Sequence, residues 1–191
     1  MPLPIFIIGA SIVGGLLIND QHKKYLKKLD SDRLEYITKN NIIARSPSDL
    51  LPSSKSQKMT PGTIVCCHVY GGFEHTGIVI DDNLIIELHG SGLVKAVSAK
   101  RFLSSRSGET IFIACNKVGE AFTFYDAIER AQQEAYKYYD YHIFECNCYT
   151  HTLSCIIGRI VKLNSFEDFN TQLYQLTQES IYWDRATAST F

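Results

Sequence analysis

From residue 60 to residue 115 the chain alternates short β-branched, apolar runs with turn-forming residues. TIVCCHV (63–69), HTGIVI (75–80) and LIIEL (84–88) are separated by Gly71-Gly72 and by Asp81-Asp82-Asn83. Apolar runs of this length between turn formers predict β-strands. LVKAV (93–97) and TIFIAC (110–115) predict two more. Connections this short cannot carry parallel crossovers, so the strands are expected to form an antiparallel meander. The period then changes. Residues 123–138 repeat at helical spacing, with Thr123 as the expected cap and Ala127, Ile128, Ala131 and Ala135 on the inward face. A second helix is expected from about Cys148 to Gly158, which serves as its stop, and a third over 166–182. Strands first and helices after them define the α+β class.

Ahead of this domain the pattern differs. The first nineteen residues, MPLPIFIIGASIVGGLLIN, carry no charge, and Lys23, Lys24, Lys27 and Lys28 follow them. A secretory signal places its positive charges before the apolar stretch, so none is read here. The run Leu3–Ile18 reads as a membrane-anchor helix, and the trailing lysines predict that the body of the protein stays on the cytoplasmic side. A helix buried in the protein or in a partner is the alternative. Leu26, Leu29, Leu34 and Ile37 recur at amphipathic spacing through residues 20–43, and the Ser-, Pro- and Lys-rich residues 45–62 read as a linker. The expected organisation is an anchor helix at 1–19, an amphipathic helix and linker at 20–59, and one folded domain at 60–185.

Composition narrows the function classes. Of 191 residues 45% are hydrophobic and 20% charged, enough apolar content for an ordinary core. Nineteen basic residues meet twenty acidic ones, so no net field points to nucleic acid. The six cysteines include an adjacent pair, Cys66-Cys67, in a chain too long to need disulfide staples. They read as reduced thiols, with Cys66 and Cys115 as core residues of apolar strands.

Cys148 stands out because a helix is expected to begin there. Unpaired amides and the positive end of a helix dipole favour a thiolate, the reactive form of cysteine. A reactive thiol then needs a base, and His75, opening a strand just after a turn, can face a cleft. On the following strand Glu87 and His89 lie two apart and share one face, so either can orient the His75 ring as the third member of a triad. Cys146 is the competing nucleophile, and Tyr70 and Tyr149 are candidates for lining the cleft or an oxyanion site. Cys146-x-Cys148 lacks the paired CxxC knuckles of zinc sites, so neither a metal nor another cofactor is expected.

PGTIV (61–65), HTGIVIDDNLIIEL (75–88), YDAIERAQ (125–132) and Asn147-Cys148, in that order, resemble the lecithin:retinol acyltransferase-like domain of the circularly permuted papain-like superfamily. The resemblance spans Pro61 to about Gly158. It implies Cys148 as nucleophile, His75 as general base and Glu87 where many members carry a second histidine. It also implies acyl transfer or hydrolysis through a thioester, on phospholipids or related lipid esters at a membrane. Thr63, Thr76 and the triplet Tyr149-Thr150-His151 depart from the family's usual residues. Two other readings remain: a peptidase or amidase of the same superfamily, and a non-catalytic, membrane-tethered binding module.

Overall fold

The computed structural model describes residues 20–36, 57–70 and 72–187. Five strands lie where the apolar runs predict them: β1 (Ile64–Val69), β2 (Phe73–Asp81), β3 (Leu84–Leu88), β4 (Val94–Val97) and β5 (Phe112–Cys115). A sixth, β6 (Tyr182–Arg185), completes one sheet in the order β4-β3-β2-β1-β5-β6, with all neighbours antiparallel. Residues 20–36 are helical (α1). They are followed by α2 (Ala99–Leu103), α3 (Tyr125–Glu134), α4 (Cys148–Ile157) and α5 (Phe166–Thr177). The class is α+β.

Successive strand residues point to opposite faces, so the continuous apolar runs supply two cores. On one face Ile64, Cys66, Ile78 and Ile86 pack with Ala127 and Ala131 of α3, Leu153 of α4 and Phe169 and Leu173 of α5. On the other, Val65, Val79, Ile85 and Ile113 cover Phe102 of α2, whose complete burial contributes roughly 2 kcal/mol. Gly77 lies in this second layer. A Cβ there would stand 2.7 Å from the Ile85 side chain and 2.9 Å from the Ile86 carbonyl, so no larger residue fits beside β3.

Several boundaries differ from the periodic reading. The helix expected at 123–138 is shorter at both ends. Thr123 pairs with Thr63 in an isolated bridge, leaving Phe124 as a cap without a side-chain bond. At the other end Tyr136 takes a positive φ of 66°, and the chain turns to bond β4 through Tyr136 N to Val94 O and Val94 N to Lys137 O. The helix expected at 166–182 stops at Thr177, where Gln178 is left-handed, and the last part of that span becomes β6 because β5 offers it an open edge. The polar start of α2 gave no apolar period to read.

In α1 Leu26 and Leu29 are half-buried, while Leu34 is exposed. Only Arg33 is buried. It pairs with Asp184, donates to the Asn116 carbonyl at 3.2 Å and lies 4.4 Å over the Tyr182 ring. The expected anchor at 1–19, together with Ile37 and most of the linker, lies outside the described residues. Among those that are described, no helix is long and apolar enough to cross a membrane.

Candidate active site

Asn147 explains why Cys148 begins a helix. Its side-chain oxygen accepts from Thr150 N at 2.9 Å, the bond of an N-cap, so Cys148 becomes the first residue of α4. Its amide nitrogen donates to the carbonyls of Ile143 at 2.9 Å and Leu163 at 2.8 Å, tying the helix start to both flanking segments. Gly158, left-handed with φ 73°, ends the helix as expected.

His75, near the start of β2, acts on Cys148 at the start of α4. Pairing between β2 and β3 runs only as far as Ile78–Ile86; beyond it Thr76, whose hydroxyl lies 3.0 Å from that of Thr152, stands close enough to Cys148 to favour its thiolate. The His75 ring acts on the same sulfur through its charge and by hydrogen bonding. Its Nε2 lies 2.8 Å from Glu87 Oε2. Cys148, His75 and Glu87 are 3%, 6% and 2% exposed, so water competes little for these bonds.

Of the two candidates for the third position, the fold brings Glu87 to His75. His89 lies past the end of β3, where its Nδ1 is taken up by Ser91. It lines the cleft without meeting the His75 ring nitrogens.

The electrostatics follow from this geometry. Burial alone would push the Cys148 thiol up, but the charge and hydrogen bond of His75 and the bonds from Thr76 pull it below its ordinary value. Burial alone would lower His75, yet Cys148 and then Glu87 hold it above the usual histidine range. Glu87, which burial would raise, is brought down by His75 and Arg106. The other five cysteines all move the opposite way. Burial raises Cys66, Cys146 and Cys115, and lifts Cys67 and Cys155 to about 12. Cys148 alone is biased toward thiolate, which sets it apart from its neighbour Cys146.

The sulfur opens onto a cleft of about 1110 Å³. Tyr70 and Phe73 line it from the β1–β2 turn, and Ile143 and Phe144 line it from the segment before α4; all four are exposed. Tyr149 and Tyr70 also line it, but their hydroxyls donate to the Glu74 and Ser105 carbonyls and are committed there. The cleft tyrosine that senses the sulfur is Tyr141, whose hydroxyl stays protonated because burial and the neighbouring Cys148 both oppose its ionisation. Its neighbours are pinned by paired bonds between His142 and Cys146 at 2.9 Å.

Sequence reasoning passed over Tyr141, Thr76 and Arg106. Tyr141 is one of eleven tyrosines, and Arg106 sits in the polar stretch SSRSG. Among the described residues no three His, Cys, Asp or Glu side chains are grouped to hold a metal ion.

No known protein-family model and no curated protein matches this chain.

Proposed function

We propose that this chain is a thiol-dependent acyltransferase or hydrolase with a lecithin:retinol acyltransferase-like, permuted papain-like domain. It forms a thioester on Cys148 from phospholipids or related lipid esters. The observation that carries the reading is the Cys148–His75–Glu87 constellation, in which one thiol of six is driven toward thiolate beside a hydrogen-bonded imidazole. The meander followed by a helix headed by the thiol supports the family reading. The size of the cleft and its apolar lips suit an acyl chain. An anchor formed by the uncharged residues 1–19 would keep the domain on the cytoplasmic side of the membrane that dissolves its substrate.

In this mechanism the Cys148 thiolate attacks the ester carbonyl carbon, and the C=O π pair moves onto oxygen. The Tyr141 hydroxyl and the N-terminal amides of α4 are the donors close to the developing oxyanion. As the C–O bond breaks, the His75 imidazolium gives its proton to the departing alkoxide, leaving a thioester and a neutral ring. The ring then takes a proton from water, an alcohol or an amine as that group attacks the thioester, and the thiolate departs. Glu87 accepts the Nε2 hydrogen throughout and keeps the ring turned to the sulfur. Turnover needs thiolate and imidazolium together, so its pH profile is a bell. The acid limb lies below the ordinary thiol value of 9.0 and the alkaline limb above the ordinary histidine value of 6.5.

The full chain incubated with vesicles of fluorescent phosphatidylcholine, and separately with a p-nitrophenyl ester, should release product and gain one acyl mass on Cys148. Cys148→Ala should lose the adduct and roughly a thousandfold or more in rate. Turnover by Cys148→Ala at the parental rate would end the thiol reading. Peptide cleavage without ester turnover would transfer it to the peptidase branch of the superfamily.

A further inference from the structure

We propose that Arg106 is a positioning residue for the Cys148–His75 pair, holding the Glu87 carboxylate in place and offsetting its charge so that His75 meets an acceptor of no net charge. The inference rests on the thiol-enzyme reading and adds a residue that neither the sequence motifs nor the resemblance contains. Arg106 Nη2 lies 2.7 Å from Glu87 Oε2, the same oxygen that accepts from His75 at 2.8 Å. The Arg106 side chain is 9% exposed, and its guanidinium stands 4.9 Å over the Phe102 ring, which also packs 5.3 Å from the His75 ring. One aromatic plate thus supports both cations that share the carboxylate.

The loop that carries Arg106 is fixed from outside itself. Tyr70 donates its hydroxyl to the Ser105 carbonyl, Gly108 N donates to the His68 carbonyl at 3.1 Å, and Ser105 takes a positive φ of 61°. At Gly108 a Cβ would fall 3.0 Å from His68 N, so the loop lies directly against the end of β1. A polar Ser- and Gly-rich stretch is thereby delivered in one conformation to a buried carboxylate.

A bare carboxylate on Nε2 would hold the imidazolium so firmly that it became a poor acid for the leaving group. The guanidinium on the same oxygen weakens that hold while leaving the orienting hydrogen bond intact. The other ionisable groups facing this carboxylate are Lys95 opposite it on β4, His89 beyond β3 and Cys67 on β1. None of them makes a hydrogen bond with Glu87.

The test is the pH profile of Cys148 alkylation by iodoacetate, which reads the thiolate–imidazolium pair without any acyl substrate. In R106Q the alkaline limb should move up by about one pH unit or more, and in E87Q it should move down, as expected for a charge within ~4–6 Å. The double variant E87Q/R106Q should return close to the parent, and R106K should lie between R106Q and the parent. If R106Q does not fold, the comparison of E87Q with E87Q/R106Q carries the same information, because only the second lacks the cation. Equal limbs in that pair, or a lowered melting temperature with an unmoved profile in R106Q, would overturn the positioning role. Failure of the thiol reading is separate: it would appear as acyl turnover surviving in Cys148→Ala whatever the alkylation profile does.

Discussion

Cys146 and Cys148 are two residues apart and share one side-chain chemistry, yet their surroundings drive them in opposite directions. Cys146 is half-buried, with its thiol raised by burial and then by Asp140, whereas Cys148 heads a helix among Thr76, His75 and Tyr141. Tyr141 is the sharpest single-residue test of the oxyanion arrangement. Tyr141→Phe removes one hydroxyl from the ring and should reduce kcat by roughly a hundredfold with KM nearly unchanged, the pattern of a donor felt mainly in the transition state. Steady-state kinetics on the p-nitrophenyl ester would check it, and an unchanged kcat would remove Tyr141 from the mechanism.

At the scale of elements, the start of α4 joins stability to reactivity. Asn147 supplies the cap and two further hydrogen bonds to the carbonyls of Ile143 and Leu163. Asn147→Ala should cost about 2–4 kcal/mol in urea unfolding, the sum of a lost cap and two buried carbonyls left without their donor. The same variant should move the acid limb of Cys148 alkylation upward, since a frayed first turn weakens the field on the sulfur. A loss of stability with no change in that limb would mean that the helix start contributes nothing to the thiol's activation. Much of this element was legible beforehand. The helical period from about Cys148 and the Gly158 stop mark both ends of α4, whereas α3 is shorter than its period at both ends because backbone pairing with Thr63 and with β4 takes its terminal residues.

For the whole molecule, one contribution to the response to acid comes from a group away from the Cys148–His75 pair. His151 is buried in α4, its Nδ1 finds no hydrogen-bond partner among the described residues, and burial lowers it to about 4. The unfolded chain takes up this proton near the ordinary 6.5, whereas the folded one resists until about 4. Between those values the unfolded state binds more protons, so stability falls as the pH is lowered through that window and levels off below it. The full effect is on the order of 3 kcal/mol. His151→Leu should flatten this part of the stability curve, measured by urea unfolding from pH 7 to pH 4; an unchanged slope would assign the acid sensitivity elsewhere. Glu87, lowered in the folded state, works in the same sense, its contribution being present above about 4.5 and lost as the pH falls through its folded value. His75, raised in the folded state, is opposite in sign: its contribution is complete below 6.5 and fades as the pH rises through its folded value.

By itself the sequence determined the local features: strands from β-branched runs between turn formers, a helix from about Cys148 to Gly158, and His75 with Glu87 or His89 on the next strand as candidate partners for the thiol. Those features are legible because propensity, capping and hairpin register act over a few residues. Tertiary structure alone decided the rest. It chose Glu87 over His89, turned Tyr182–Arg185 into a strand on the open edge of β5, and brought Arg106 from an irregular segment to Glu87 and Tyr141 from another to the cleft beside Cys148. Each of those outcomes depends on hydrogen bonds or packing between residues distant along the chain, for which no local pattern exists.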